Sequence, residues 1–291
     1  MSVARFNLTT IVAACLLAGC ASAPGRPPAA LGLEPFYAKH LDAAGIPVIA
    51  SSRAPDAALY SARDLVNGML AHRPDLHAEL VRQGYRVAVL AEDEGVLDLP
   101  ENAHWTKPAE NDPRLTRCER KHYGERIGRF SHREYWDARA RSMSGKLTSA
   151  AAEDLLGLPA SRWYGETIFV HEFAHNVLFA IQAADPVLYG DIETAYEAAL
   201  AAGRWKDEYA ATTVHEYWAE GTQFWFDSNR LAVMNGRQVL SHQDLAAYDP
   251  PLYAVLGKAY GTSHRLRGDP FHLHPARVPP GPIPENTAEV C

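Results

Sequence analysis

The chain has 291 residues, 47% hydrophobic and 22% charged, enough for one sizeable hydrophobic core or two modest domains. That balance excludes a fibre or a wholly disordered chain. With 28 basic against 35 acidic residues the formal charge is -7, and no polybasic block offers a surface to a nucleic-acid backbone or an anionic lipid face, which argues against a dedicated nucleic-acid binder.

Residues 1–19 read as an export signal rather than as part of the fold. Arg5 gives a weakly basic start, residues 8–17 are mostly apolar, and the stretch closes as Leu17-Ala18-Gly19-Cys20. The apolar run is too short to span a bilayer as a helix. Its ending resembles the lipobox of bacterial lipoproteins, which implies a lipid anchor at Cys20 and a location in the bacterial cell envelope, facing the periplasm; a plain secretory signal is the alternative. Residues 20–32, rich in proline and small side chains, read as a tether.

The body is expected over residues 33–267 as a single domain. The pattern predicts a short helix over 36–44 stopped by Gly45, and a short strand over 46–50 that Pro47 assigns to an edge or a loop. A helix over 56–70 follows from the apolar stripe Leu59, Ala62, Val66, Met69 and Leu70. A helix over 76–83 and a buried strand over 85–90 come next. Residues 91–119, broken by Pro100, Pro108 and Pro113, read as a long surface connection or a substrate-side loop. Arg139, Arg141 and Lys146 flank residues 142–145 as a basic, flexible segment. Six prolines in residues 268–291 make an extended tail. Once Cys15 leaves with the signal and Cys20 carries lipid, Cys118 and Cys291 are the thiols left; they can pair in an oxidising compartment, although sequence carries no distance between them.

The strongest short signal is His171-Glu172-Phe173-Ala174-His175. On a helix, positions i and i+4 share a face, so both imidazoles can meet one zinc ion while Glu172 reaches the water held there. The flanking residues are largely apolar, so the helix is expected to be buried, where two unpartnered histidines and a glutamate would be costly and coordination would satisfy them. A third ligand is expected from the aromatic-rich stretch 208–226, where Glu216 and Glu220 stand one turn apart. One can ligate while the other takes a hydrogen bond from a ligand histidine.

The pairing of His171-Glu172-Phe173-Ala174-His175 with Tyr209-Ala210-Ala211-Thr212-Thr213-Val214-His215-Glu216-Tyr217-Trp218-Ala219-Glu220 resembles the glutamate-zincin metallopeptidases, in the branch of anthrax lethal factor and the Mlc-titration-factor-type peptidases. The resemblance covers residues 164–226, about a fifth of the chain. It implies that Glu216 completes the zinc site, that Tyr209 helps to stabilise the oxyanion, and that Glu220 is the trailing acid behind the ligands. His215 beside Glu216 departs from that pattern and leaves open which of the two faces the metal, since adjacent helical positions point about 100° apart.

These readings lead to an α+β fold, a mainly helical zincin-like domain with a small β-sheet, and to a zinc-dependent peptidase acting on peptide or protein substrates. Glu172 is expected to be the base, and His171, His175 and Glu216 are expected to leave one metal position open. The alternative is a cell-envelope binding lipoprotein that uses the metal for stability and turns nothing over.

Overall fold

A computed structural model of the chain describes residues 23–283 with Glu285, Thr287 and Ala288. The expected signal, the Cys20 anchor and Cys291 lie outside the described residues. A 3-10 turn at Ala29–Leu31 leads to two strands, β1 (Lys39–Ala43) and β2 (Ile46–Ala50), paired antiparallel in the register Ala43 to Ile46 and Lys39 to Ala50. The helix expected over 36–44 is therefore a strand. Gly45 is not a helix stop: Ala44 and Gly45, at φ 52° and 103°, make a two-residue hairpin turn, and Asp42 accepts the Gly45 amide at 2.9 Å. Nor is β2 an edge. All five of its residues are buried, and it is flanked on both sides. Pro47 is tolerated because the parallel ladder to the next strand begins only at Val48.

The helix α1 (Asp56–Leu70) follows the expected stripe, and α2 (Pro74–Arg82), beginning two residues before the expected start at 76, leads to β3 (Arg86–Leu90), parallel to β2. The connection expected over 91–119 carries 3-10 turns at Val96–Asp98 and Pro100–Asn102 and runs into α3 (Arg117–Lys121); a π-helical turn at Gly124–Gly128 and α4 (His132–Arg139) follow it, around a small core of Leu115, Ile127 and Tyr135. Cys118 in α3 is disulfide-bonded. The chain then enters β4 (Leu147–Ala151), parallel to β3, completing a four-stranded sheet in the order β1-β2-β3-β4. Alternate residues divide the sheet's faces: Val48, Ala50, Val87 and Val89 join the main core, while Ile49, Ala88 and Leu90 pack on Val96, Leu99 and Tyr37. Both faces are covered, which is why the central strands read as unbroken apolar runs.

After the short α5 (Ala152–Leu155) come the long α6 (Ile168–Ala184), α7 (Pro186–Ala201) and α8 (Val214–Trp225). A hairpin of β5 (Ala232–Met234) and β6 (Arg237–Val239), then α9 (His242–Tyr248) and α10 (Pro250–Tyr260), complete a mixed α+β fold. Tyr217, Trp218, Phe224, Trp225 and Phe226 are at most 2% exposed, so the aromatics around Glu216 are core. Among its described residues the Pro-rich tail carries a 3-10 turn at Pro275–Arg277, and it lies against the body: Phe271 and Arg277 are buried, and the Arg277 carbonyl accepts the Leu231 amide at 2.7 Å. Among the described residues no helix is long and apolar enough to cross a membrane.

Candidate metal centre

Helix α6 presents His171 and His175 one turn apart, both buried, their rings 5.0 Å apart and steeply inclined at 81°. Its start is tied down by Thr167, whose amide donates to the Ser228 carbonyl at 2.9 Å and whose hydroxyl donates to Asp269. Opposite lies the first turn of α8. Thr213 caps it by accepting the Glu216 amide at 3.2 Å, and a carboxylate three residues into a helix sits well in the positive field of its N-terminus. The Glu216 carboxylate turns towards α6. Its Oε2 is 3.1 Å from Nε2 of His171 and 3.6 Å from Nε2 of His175. One donor atom from each of these three side chains lies within 4.8 Å of the other two, and the group could hold a metal ion. The donor set itself fits such an ion, with two imidazole nitrogens and one carboxylate oxygen turned inward from a largely dry surround.

What stands behind His171 keeps it turned that way. Its Nδ1 faces Gln223 Oε1 at 3.2 Å and Glu220 Oε1 at 3.4 Å, which leaves Nε2 as the atom directed at Glu216. Glu220 in turn accepts from Asn229 at 2.9 Å, and Gln223 donates to Glu166 at 3.4 Å. Glu166, buried, is ion-paired to Arg230. Sequence reasoning missed Gln223, Glu166 and Arg230. Gln223 was within reach of helical spacing, being seven residues after Glu216 and three after Glu220; Glu166 and Arg230 carry no local signal.

Glu172 is held at the edge of the sheet by a backbone amide. There the chain folds back before β4, with Met143 bridging antiparallel to Ser149. The turn aims two amides at α6: Ser144 donates to Glu172 Oε2 at 2.8 Å, and Gly145 donates to Asn176 Oδ1 at 3.1 Å. Gly145, at φ 136°, occupies backbone space that side chains disfavour. Residues 142–145 are thus a pinned turn, not the free basic segment expected. Arg141 is spent on an ion pair with Glu153 and on the carbonyls of Ala91 and Glu94.

The remaining candidates fall as follows. The Tyr209 ring lies 6.4 Å from that of His171, tilted 24°. His215 turns aside onto Phe179, ring centroids 5.3 Å apart, so of the two neighbours it is Glu216 that faces the histidines. His264 stacks on His242 at 3.7 Å, apart from this group.

Charge is shared unevenly. Burial opposes a charge on His171, but Glu216 and Glu220 on either side raise its pKa well above the usual value. Burial and that neighbouring charge push His175 down to about 4. Of two imidazoles beside one carboxylate, His171 holds the proton and His175 is neutral. Burial pushes Glu172 up to about 7, with His171 opposing, while Glu216, despite its burial, is held low by His171. Burial and the Glu216 carboxylate raise the Tyr209 phenol. Compared with family models, curated proteins and solved structures, the chain gives no match.

Proposed function

We propose that the chain is a zinc-dependent peptidase of zincin-like fold, tethered through Cys20 in a bacterial cell envelope. The observation that supports this reading is the convergence of His171 and His175 from α6 and Glu216 from α8, with a separate carboxylate, Glu172, beside them and bound to none of the three. A structural metal site has no use for such a carboxylate, whereas hydrolysis needs one.

His171 Nε2, His175 Nε2 and Glu216 would hold the ion, with Gln223 and Glu220 orienting His171. When bound, zinc supplies Lewis acidity, polarising a carbonyl and bringing the pKa of a water towards about 7. Glu172, steadied by the Ser144 amide, takes the proton of the attacking water and passes it to the departing amine. The Tyr209 hydroxyl would donate to the carbonyl oxygen's developing charge.

Replacing Glu172 by Gln tests the reading. With wild-type protein and a broad peptide library, chelator-sensitive cleavage is expected; Glu172→Gln should keep about one equivalent of zinc and lose turnover by at least roughly 100-fold. Silence from the zinc-loaded wild type would overturn it and favour a metal-stabilised binding lipoprotein; full turnover by the variant would overturn Glu172 as the base.

A further inference from the structure

Tyr209 stands at the metal centre with little packing to hold it there. It is 44% exposed, in a 3-10 turn at Tyr209–Ala211 that follows the loop leaving α7. Its place is therefore set by its backbone, and the backbone leading to it is strained. Trp205 and Asp207 both take left-handed conformations, at φ 57° and 61°. Such a conformation presses Cβ against the following carbonyl oxygen, a heavy cost for a residue as bulky as tryptophan, and it persists only where surrounding contacts impose it. The body imposes the first of the two: the Trp205 amide donates to the Tyr248 hydroxyl at 2.7 Å, and its indole donates to Asp249 at 2.8 Å.

The tail imposes the second. The Ala288 amide donates to the Asp207 carbonyl at 2.9 Å, and the Thr287 hydroxyl and amide both donate to Glu208, at 2.6 and 3.2 Å. The Thr287 hydroxyl also accepts the Tyr209 amide at 2.9 Å, so a single side chain ties Tyr209 to the residue before it. The tail's course is prepared at its start. The buried Arg277 guanidinium donates to the Asn229 carbonyl at 2.7 Å, and Pro279, Pro280 and Pro282 then fix φ at three positions beyond that anchor. Prolines there reduce the entropy lost when Thr287 docks on the loop.

We infer that Thr287 is a positioning residue for Tyr209: by accepting the Tyr209 amide and donating to Glu208, it holds the strained loop in the form that sets the phenol beside His171. Its part in catalysis rests on the peptidase reading; its grip on the loop rests on these bonds alone. Two arms separate them. In the first, kcat and KM are measured on zinc-loaded wild type, Thr287→Val, Thr287→Ser, Tyr209→Phe and the double variant of Thr287→Val with Tyr209→Phe. Thr287→Val keeps the side chain's shape but loses the hydroxyl; it should lower kcat by about tenfold while KM and the zinc stoichiometry hold, and Thr287→Ser should restore most of the rate. Tyr209→Phe should lose about 100-fold, and adding Thr287→Val to it should cost less than about twofold more, because a residue that acts through the phenol then has nothing left to position. In the second arm, hydrogen exchange of the Tyr209 amide is followed in metal-free protein. Thr287→Val should speed that exchange by about tenfold, and Thr287→Ser should not. An unchanged exchange rate, an unchanged kcat, or the same tenfold loss with and without the Tyr209 hydroxyl overturns the role given to Thr287. If the wild type cleaves nothing, the peptidase reading fails, and exchange alone decides whether Thr287 holds Tyr209.

Discussion

Trp218 joins the two helices that carry the ligating residues. It is fully buried in α8, two residues after Glu216, and its indole donates to the Ala174 carbonyl, one residue before His175, at 3.0 Å. Its other face stacks on Tyr260, ring centroids 5.6 Å apart. Trp218→Phe keeps an aromatic ring there but removes the donor and the outer part of the indole. The lost hydrogen bond costs about 1 kcal/mol. Removing some of the buried ring atoms adds roughly 1–2 kcal/mol, a fraction of what full truncation to alanine costs in a core. Together the variant should be about 2–3 kcal/mol less stable, lowering Tm by roughly 3–5 °C at this chain size. Because the bond sets the spacing between α6 and α8, zinc affinity should also fall, by about tenfold. Urea unfolding of the metal-free protein measures the first effect, and competition with a chromophoric chelator the second. A loss below about 0.5 kcal/mol together with unchanged zinc affinity would refute the role given to Trp218.

Three further outcomes follow from the same geometry. Glu216→Ala should lower bound zinc far more than Glu220→Ala, as measured by metal analysis after gel filtration; the reverse order would mean that the ligand is Glu220. Gln223→Leu, which removes the acceptor behind His171 Nδ1, should weaken zinc binding by roughly 10- to 100-fold in a chelator titration while leaving the stoichiometry at one. In metal-free protein, burial raises the Glu172 carboxyl from 4.5 to about 7. A carboxyl raised on folding adds stability that is fully present below pH 4.5 and lost as the pH climbs through 7, about 3 kcal/mol in all. Urea unfolding of wild type and Glu172→Gln at pH 4.5 and pH 8 should show that loss in the wild type alone; an equal loss in both would refute it.

The elements that local pattern determines were legible. The stripe from Leu59 to Leu70 matches α1 (Asp56–Leu70), and residues 171 and 175 share a face by helix geometry alone. The hairpin of β1 and β2 was not, because Gly45 serves a helix end and a tight turn equally well, and only pairing with β2 decides between them. Pro47 misled for a related reason: its missing amide matters only if a neighbouring strand needs it, and that neighbour starts one residue later. At the site, Glu216 entered through a resemblance in sequence, while its orientation depends on the Thr213 cap and on where α6 lies. Gln223 and the Ser144 amide were overlooked because each acts across the fold, 52 and 28 residues from its partner. The tail read as extended, and nothing in its prolines indicated that Thr287 fastens it beside Tyr209.

The most direct measurement is a crystal structure of the zinc-soaked protein, with anomalous data at the zinc edge. The expected result is a single ion bound by Nε2 of His171, Nε2 of His175 and the Glu216 carboxylate at about 2.0–2.2 Å, with Glu172 outside the coordination sphere and one position left to solvent. An ion capped by a fourth side chain, or no anomalous peak between α6 and α8, would contradict it.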